Sequence, residues 1–321
     1  MPEDAIGPWQ GILLLNHVSV RRAVPAGMGL HADLSLEFRL VLYAPKELDG
    51  EGGDRSPRDS AVTSTVLSLL LAVSAFPIGD EWVLVDDKGI EQSRLSEVGG
   101  LRPLTLEVLP GGRYVATAVL PGDADPSLWL ITPQARKRLG YPSGAHLFPT
   151  VTNDGQWVYF SYHPDPRLMA PGREYTQLWR TRLDGSGLSQ LTSSVGCKLS
   201  PSVVGATVFY AHARCGEQMQ GLDRLDGVTE KEALAPTEDF PVEPRLSPDG
   251  AWLAFGVLRA REVEVRVAPA KRPERSRLVW SASRFGSSLH LKWIGATELM
   301  FVHRGELRKV SAMEKAARRT P

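Results

Sequence analysis

A chain of 321 residues can hold one large β domain or two ordinary ones, with a substantial core in either case. Its 37 basic and 37 acidic residues cancel, which leaves no basic field for a phosphate backbone and excludes nucleic acid as an expected ligand. Thirty glycines and 24 prolines, spread along the chain with apolar runs between them, fit an all-β protein with many tight turns and exclude collagen-like or disordered readings.

In chain order, the first segment with a pattern is Leu34-Ser35-Leu36-Glu37-Phe38-Arg39-Leu40, which alternates apolar and polar residues as a half-buried strand does. Residues 12–20 would be its hairpin partner, and residues 47–60, rich in Gly, Asp and Arg, read as a linker. Residues 61–76, AVTSTVLSLLLAVSAF, follow Arg55 and Arg58. This run is too short and too rich in Ser and Thr for a transmembrane helix, so no integral membrane span is expected. Two readings stay open. As a secretory apolar core it would be cleaved after Ala75, behind Val73-Ser74-Ala75, and residues 1–60 would be an artefact of a misplaced start codon. The protein would then be periplasmic or otherwise exported. As a buried element it would join a genuine N-terminal segment to the rest, and the protein would be cytoplasmic.

From residue 81 the chain repeats itself. The clearest unit is PTVTNDGQWVYFS (149–161), followed after an insertion by LWRTRLDGSGLSQLT (178–192). Its opening recurs as PRLSPDGAWLAFG (244–256) and, more worn, as LEVLPGGRYVATA (106–118) with SLWLITPQARKRL (127–139). Weaker copies are PSVVGATVFYA (201–211) and LKWIGATELMFV (291–302). The turn glycines Gly112, Gly155, Gly205, Gly250 and Gly295 fall about 43 to 50 residues apart, near the length that four short strands and their turns consume in a propeller blade. Asp154-Gly155 and Asp249-Gly250 supply the first turn of a blade. Trp157 and Phe160, like Trp252 and Phe255, are three apart and would face the blades on either side. EWVLVDDKGIEQSRLS (81–96) reads as the outer half of a further blade.

These residues resemble the repeat of the TolB-like (WD-like) propellers: proline, an apolar residue, serine-proline-aspartate-glycine, a strand, a Leu-Trp strand, an aspartate-glycine turn and a Leu-Thr end. The resemblance covers residues 81–312 and implies an all-β TolB-like β-propeller. Five anchors plus a half-blade give five or six blades, and six is the expectation. The ring would be closed by a blade shared between the chain ends, with residues 12–43 a further source of inner strands. Residues 313–321 read as a basic tail.

The chemistry legible in the sequence is sparse. Cys197 and Cys215 fall in one repeat, one near its first strand and one just past its second, and read either as a disulfide staple of an exported protein or as two buried thiols. The seven histidines occupy no common repeat position: His146 aligns with Lys198, Pro241 and Ser288, so repetition builds no ligand ring, and no metal or other cofactor is expected. No Gly-x-Ser-x-Gly elbow is present, and Asp86-Asp87 and Glu238-Asp239 read as turn chemistry, so no catalytic residue is assigned.

The resemblance implies a non-enzymatic adapter that binds a protein partner in the bacterial cell envelope, since TolB-like proteins are typically periplasmic propellers that bind other proteins. The insertion within the unit that begins at Pro149, with Tyr162, His163, Arg167, Met169, Arg173 and Tyr175, is the candidate contact surface, because aromatic and Arg residues dominate interface hot spots. Its alternative is a tolerated surface loop. The second functional reading is a glycan-acting enzyme resembling the TolB-like polysaccharide lyases, with His146, Lys198, Arg245, His290 and Lys292 converging at the central channel.

Overall fold

Short strands punctuated by turn residues form six antiparallel sheets, each a meander in chain order. The computed structural model describes residues 73–141, 143–164, 176–213, 220–237, 239–284 and 289–313, all within the unit Leu71–Pro321. Blade 1 comprises β1 (Ser74–Ile78), β2 (Glu81–Val85) and β3 (Glu91–Leu95). Blade 2 comprises β4 (Thr105–Leu109), β5 (Arg113–Ala118), β6 (Ser127–Ile131) and β7 (Arg136–Leu139). In blade 3 the strands are β8 (Ala145–Val151), β9 (Trp157–His163), β10 (Gln177–Arg182) and β11 (Ser189–Gln190). Blade 4 runs through β12 (Cys197–Val204), β13 (Thr207–Ala213), β14 (Gln220–Asp226) and β15 (Thr229–Thr237). Next come β16 (Phe240–Leu246), β17 (Trp252–Leu258), β18 (Glu262–Pro269) and β19 (Arg277–Ser283) of blade 5. Blade 6 ends the ring with β20 (Lys292–Ile294), β21 (Glu298–His303) and β22 (Glu306–Ser311).

A propeller is held by its blade-to-blade contacts, and here six apolar clusters occupy the six interfaces. Trp82 and Leu84 meet Leu106 and Trp129 between blades 1 and 2. Phe160 reaches back to Val115 and Leu128 of blade 2, while Trp157, on the opposite face of β9, packs with Val208 and Leu225 of blade 4. In blade 5, Phe255 joins Phe209 and Leu222 of blade 4, and Trp252 joins Leu291 and Phe301 of blade 6. Phe76, Val83 and Val85 meet Ile294 and Met300 to close blade 6 onto blade 1. Because successive side chains of a strand point to opposite faces, each second strand serves two interfaces at once.

The turns repeat as faithfully as the apolar residues. Asp154 accepts from the Gln156 amide at 3.0 Å and Thr152 Oγ1 from the Trp157 amide at 3.1 Å. In blade 5, Asp249 accepts from the Ala251 amide at 3.0 Å and Ser247 Oγ from the Trp252 amide at 2.9 Å. Gly155 and Gly250 close both turns with φ of 65° and 70°, where a side chain would be strained.

Two features differ from the sequence-based expectation. Residues 81–96 supply the two outer strands of blade 1, but its inner strand comes from the same stretch of chain and not from the far end: it is β1, formed in part by Ser74, Ala75 and Phe76 at the end of the apolar segment. The ring is also not closed by a shared blade: among the described residues, blades 1 and 6 each have three strands of their own, joined by side-chain packing. Residues 12–43 lie outside the described residues.

Candidate functional site

The inner strands of all six blades line a central channel, and their local geometry is set by a repeated irregularity. In β8, β12 and β16 the pairing slips between Leu147 and Thr150, Leu199 and Ser202, and Val242 and Arg245. At the slips stand Phe148, Ser200 and Glu243, with φ of 50°, 53° and 49°, each followed by a proline; His290, at the equivalent point before β20, has φ of 48°. Positive φ at a non-glycine residue is sterically costly and is kept where surrounding structure over-determines it. All four residues line one cavity of about 390 Å³.

That cavity is the wide end of the channel. Leu104, Leu106, Phe148, Leu199 and Val242 give it an apolar wall on blades 2 to 5, and Glu243, Arg245, His290 and Lys292 give it a charged wall on blades 5 and 6. Leu104 and Phe148 remain 55% and 36% exposed, both on the lining of this one cavity. A second cavity of about 190 Å³ occupies the narrow end, lined among others by Ser74, Glu107, Thr150, Ser202, Arg245 and Lys292, one from each blade.

Between the two, Lys292 Nζ donates to Glu107 Oε2 at 3.0 Å. Its blade and that of Glu107 are separated by blade 1, so the ion pair crosses the channel. At the narrow end Asn153 Nδ2 donates to the Pro248 carbonyl at 3.1 Å, tying the turns of blades 3 and 5. Glu243 receives the Leu289 and Leu291 amides at 2.9 and 3.0 Å, one on each oxygen, and so holds the backbone on both sides of His290. Trp82 meets the His290 ring edge-on at 6.4 Å between centroids. Burial lowers the His290 pKa and Glu243 opposes that, while Lys292 and Arg245 add to the lowering. Arg245 donates from Nε to the Leu291 carbonyl at 3.0 Å and from Nη1 to the Pro244 carbonyl at 2.9 Å.

Of the five residues proposed to converge at the channel, Arg245, His290 and Lys292 do so and His146 and Lys198 do not. Both of the latter are fully buried in the blades. His146 packs on Phe160 and Tyr162 at 5.4 and 5.0 Å between centroids. The Lys198 ammonium donates to the carbonyls of Ser194, Val195 and Gly196 at 3.2, 2.9 and 3.3 Å, which occupies all three protons. Within the insertion, Tyr162 OH donates to the Ser143 carbonyl at 3.1 Å, and His163 Nδ1 lies 3.1 Å from Thr176 Oγ1. Arg167, Met169, Arg173 and Tyr175 lie outside the described residues. Because Tyr162 and His163 pair with His146 and Ala145, the insertion leaves β9 at the end of the propeller where the wide cavity opens. Cys197 is disulfide-bonded, and Cys215 lies outside the described residues. Asp86 accepts the Lys88 and Ile90 amides at 2.9 Å each, a turn role. No group of three potential metal ligands and no helix long and apolar enough to cross a membrane occurs among the described residues.

The residues that sequence reasoning missed are Glu107, Glu243, Phe148 and Leu104. A signal existed for the middle two: they immediately precede the prolines that anchor the repeat.

Fold and channel together define a six-bladed β-propeller with an open cavity at one end. No protein-family model and no curated protein matches the chain. Among solved structures it is similar to TolB from Acinetobacter baumannii, with 14% identity and a TM-score of 0.53 over 75% of this chain and 60% of that one. The putative TolB from Agrobacterium tumefaciens matches with 13% identity and a TM-score of 0.47 over 66% of this chain and 81% of that one. A chain of a nidogen/laminin complex matches with 8% identity and a TM-score of 0.50 over 71% and 83%. At these identities the likeness establishes the fold alone.

Proposed function

We propose that the protein is a non-enzymatic binding protein that engages a protein partner at the wide end of its channel, as an adapter of the bacterial cell envelope. The observation that carries this reading is the state of the cavity's side chains. Glu107, Lys292 and Glu243 are engaged in contacts that hold the propeller itself, while Leu104 and Phe148 stand exposed beside them. Structural engagement of the acids and exposure of the apolar groups suit recognition better than proton transfer. The insertion residues Tyr162, His163, Arg167, Met169, Arg173 and Tyr175 belong to the same proposed contact surface.

A photo-activatable amino acid at Phe148, with Val228 on the outer β14–β15 turn as control, tests the reading in the native cell. Val228 is 92% exposed. A discrete protein adduct from position 148 and none from 228 is the expected result; no adduct, or the same adducts from both positions, overturns it.

Export follows from the same reading, with the Cys197–Cys215 pair as the disulfide and processing N-terminal to Ser74. Cleavage after Ala75 would remove Ser74 and Ala75 from β1, where they pair with Val85 and Leu84. N-terminal sequencing of the native protein is expected to show a start at or before Ser74 in an envelope fraction, whereas a cytosolic Met1 or Pro2 start overturns export.

The alternative of a glycan-acting enzyme draws support from the convergence of Arg245, His290 and Lys292. Turnover of a polyuronate that His290→Ala abolishes would decide for it.

A further inference from the structure

The wide cavity carries one cation that no carboxylate of its wall answers. The Glu107–Lys292 pair crosses the channel beneath it, and the Asn153–Pro248 contact ties the turns beyond. Both contacts lie across the path of a segment that enters from the wide end. The pocket's volume of about 390 Å³ suits the end of a chain and not a folded surface.

The charges specify which end. Lys292 is neutralised by Glu107, and both oxygens of Glu243 accept main-chain amides. Arg245 is the remaining cation of the wall. Its Nε and Nη1 are pinned by the carbonyls of Leu291 and Pro244. Among the described residues no carboxylate lies within ion-pair distance of it, and Nη2 has no acceptor. A guanidinium fixed by its own backbone contacts is preorganised for a planar monoanion, so little side-chain entropy is lost on binding. An amino terminus would instead need a carboxylate, and both carboxylates of the wall are engaged.

We propose that the wide end of the channel captures the C-terminal carboxylate of a partner's extended segment. Arg245 binds the carboxylate, and Leu104 and Phe148 seat the apolar side chains that precede it. This rests on the binding reading above and names the ligand chemistry of that site.

The test is calorimetry on the full chain at neutral pH with three probes: N-acetyl-Leu-Val-Leu as the free acid, the same peptide as its C-terminal amide, and trigalacturonate. The free acid is expected to bind about tenfold or more tightly than the amide, the usual worth of a charge-assisted hydrogen bond. Arg245→Gln is expected to erase that difference and leave the weak binding of the amide, and Arg245→Lys to keep part of it. Unchanged circular-dichroism melting of both variants shows that the fold is intact. Equal binding of acid and amide, no binding of either, or an acid preference that survives Arg245→Gln overturns the proposal. Binding of trigalacturonate in place of the peptide acid overturns it in favour of a glycan carboxylate. If the peptide acid fails while position 148 still cross-links to a partner, this inference falls and the adapter reading stands.

Discussion

His146 shows how far one side chain can be taken from its ordinary chemistry without becoming a ligand. It is fully buried against Phe160 and Tyr162, its Nε2 accepts the Tyr141 amide at 3.2 Å, and its Nδ1 has no partner. Burial, with Arg138 nearby, pushes its pKa from 6.5 down to about 4. The unfolded chain therefore takes up the proton first. Stability is complete above pH 6.5, falls as pH drops from 6.5 towards 4, and changes no further through this group below that. The loss amounts to about 3 kcal/mol at most. Urea midpoints measured across that window are expected to flatten in His146→Phe, and an unchanged slope would show that other groups carry the acid sensitivity.

At the scale of the element, the repeated slip in the inner strands brings side chains to the channel, and in blade 5 the residue at the slip makes specific bonds. Glu243 of blade 5 secures the backbone of blade 6 through the Leu289 and Leu291 amides. Glu243→Ala leaves two buried donors without partners, so it is expected to cost about 2 kcal/mol or more and to speed hydrogen exchange at those amides. Exchange as slow as in the parent would mean the slip is held by packing alone. The turns are a separate device. Ser247, fully buried, accepts the Trp252 amide at 2.9 Å; Ser247→Ala is expected to lower stability by about 1 kcal/mol in chemical denaturation, with no effect on ligand binding.

Among the described residues the blades form a ring whose seam, between blades 6 and 1, has no shared strand. Phe76, fully buried among Ile294 and Met300, is the largest side chain of that seam. Phe76→Ala is expected to cost about 3 to 5 kcal/mol. The seam is also expected to open first, with amides of β1 and β20 to β22 exchanging faster than those of blades 2 to 5. Uniform exchange around the ring would mean that the interfaces are equal in strength.

Much of this architecture is written in the chain. The spacing of Gly112, Gly155, Gly205, Gly250 and Gly295 gives the blade period, because a turn that needs positive φ leaves a local mark. Trp157 and Phe160 declare two opposite faces for the same local reason, the two-residue period of a strand. The identity of β1 was not legible, since Ser74-Ala75-Phe76 reads equally as the end of an export segment until Val83, Leu84 and Val85 are placed beside it. Nor was the site. Glu107 and Lys292 are 185 residues apart and meet only because the ring closes. Periodicity reports what each residue does to its neighbours in the chain, whereas the cavity depends on which side chains six separate strands bring to one axis, and that is fixed by packing between blades.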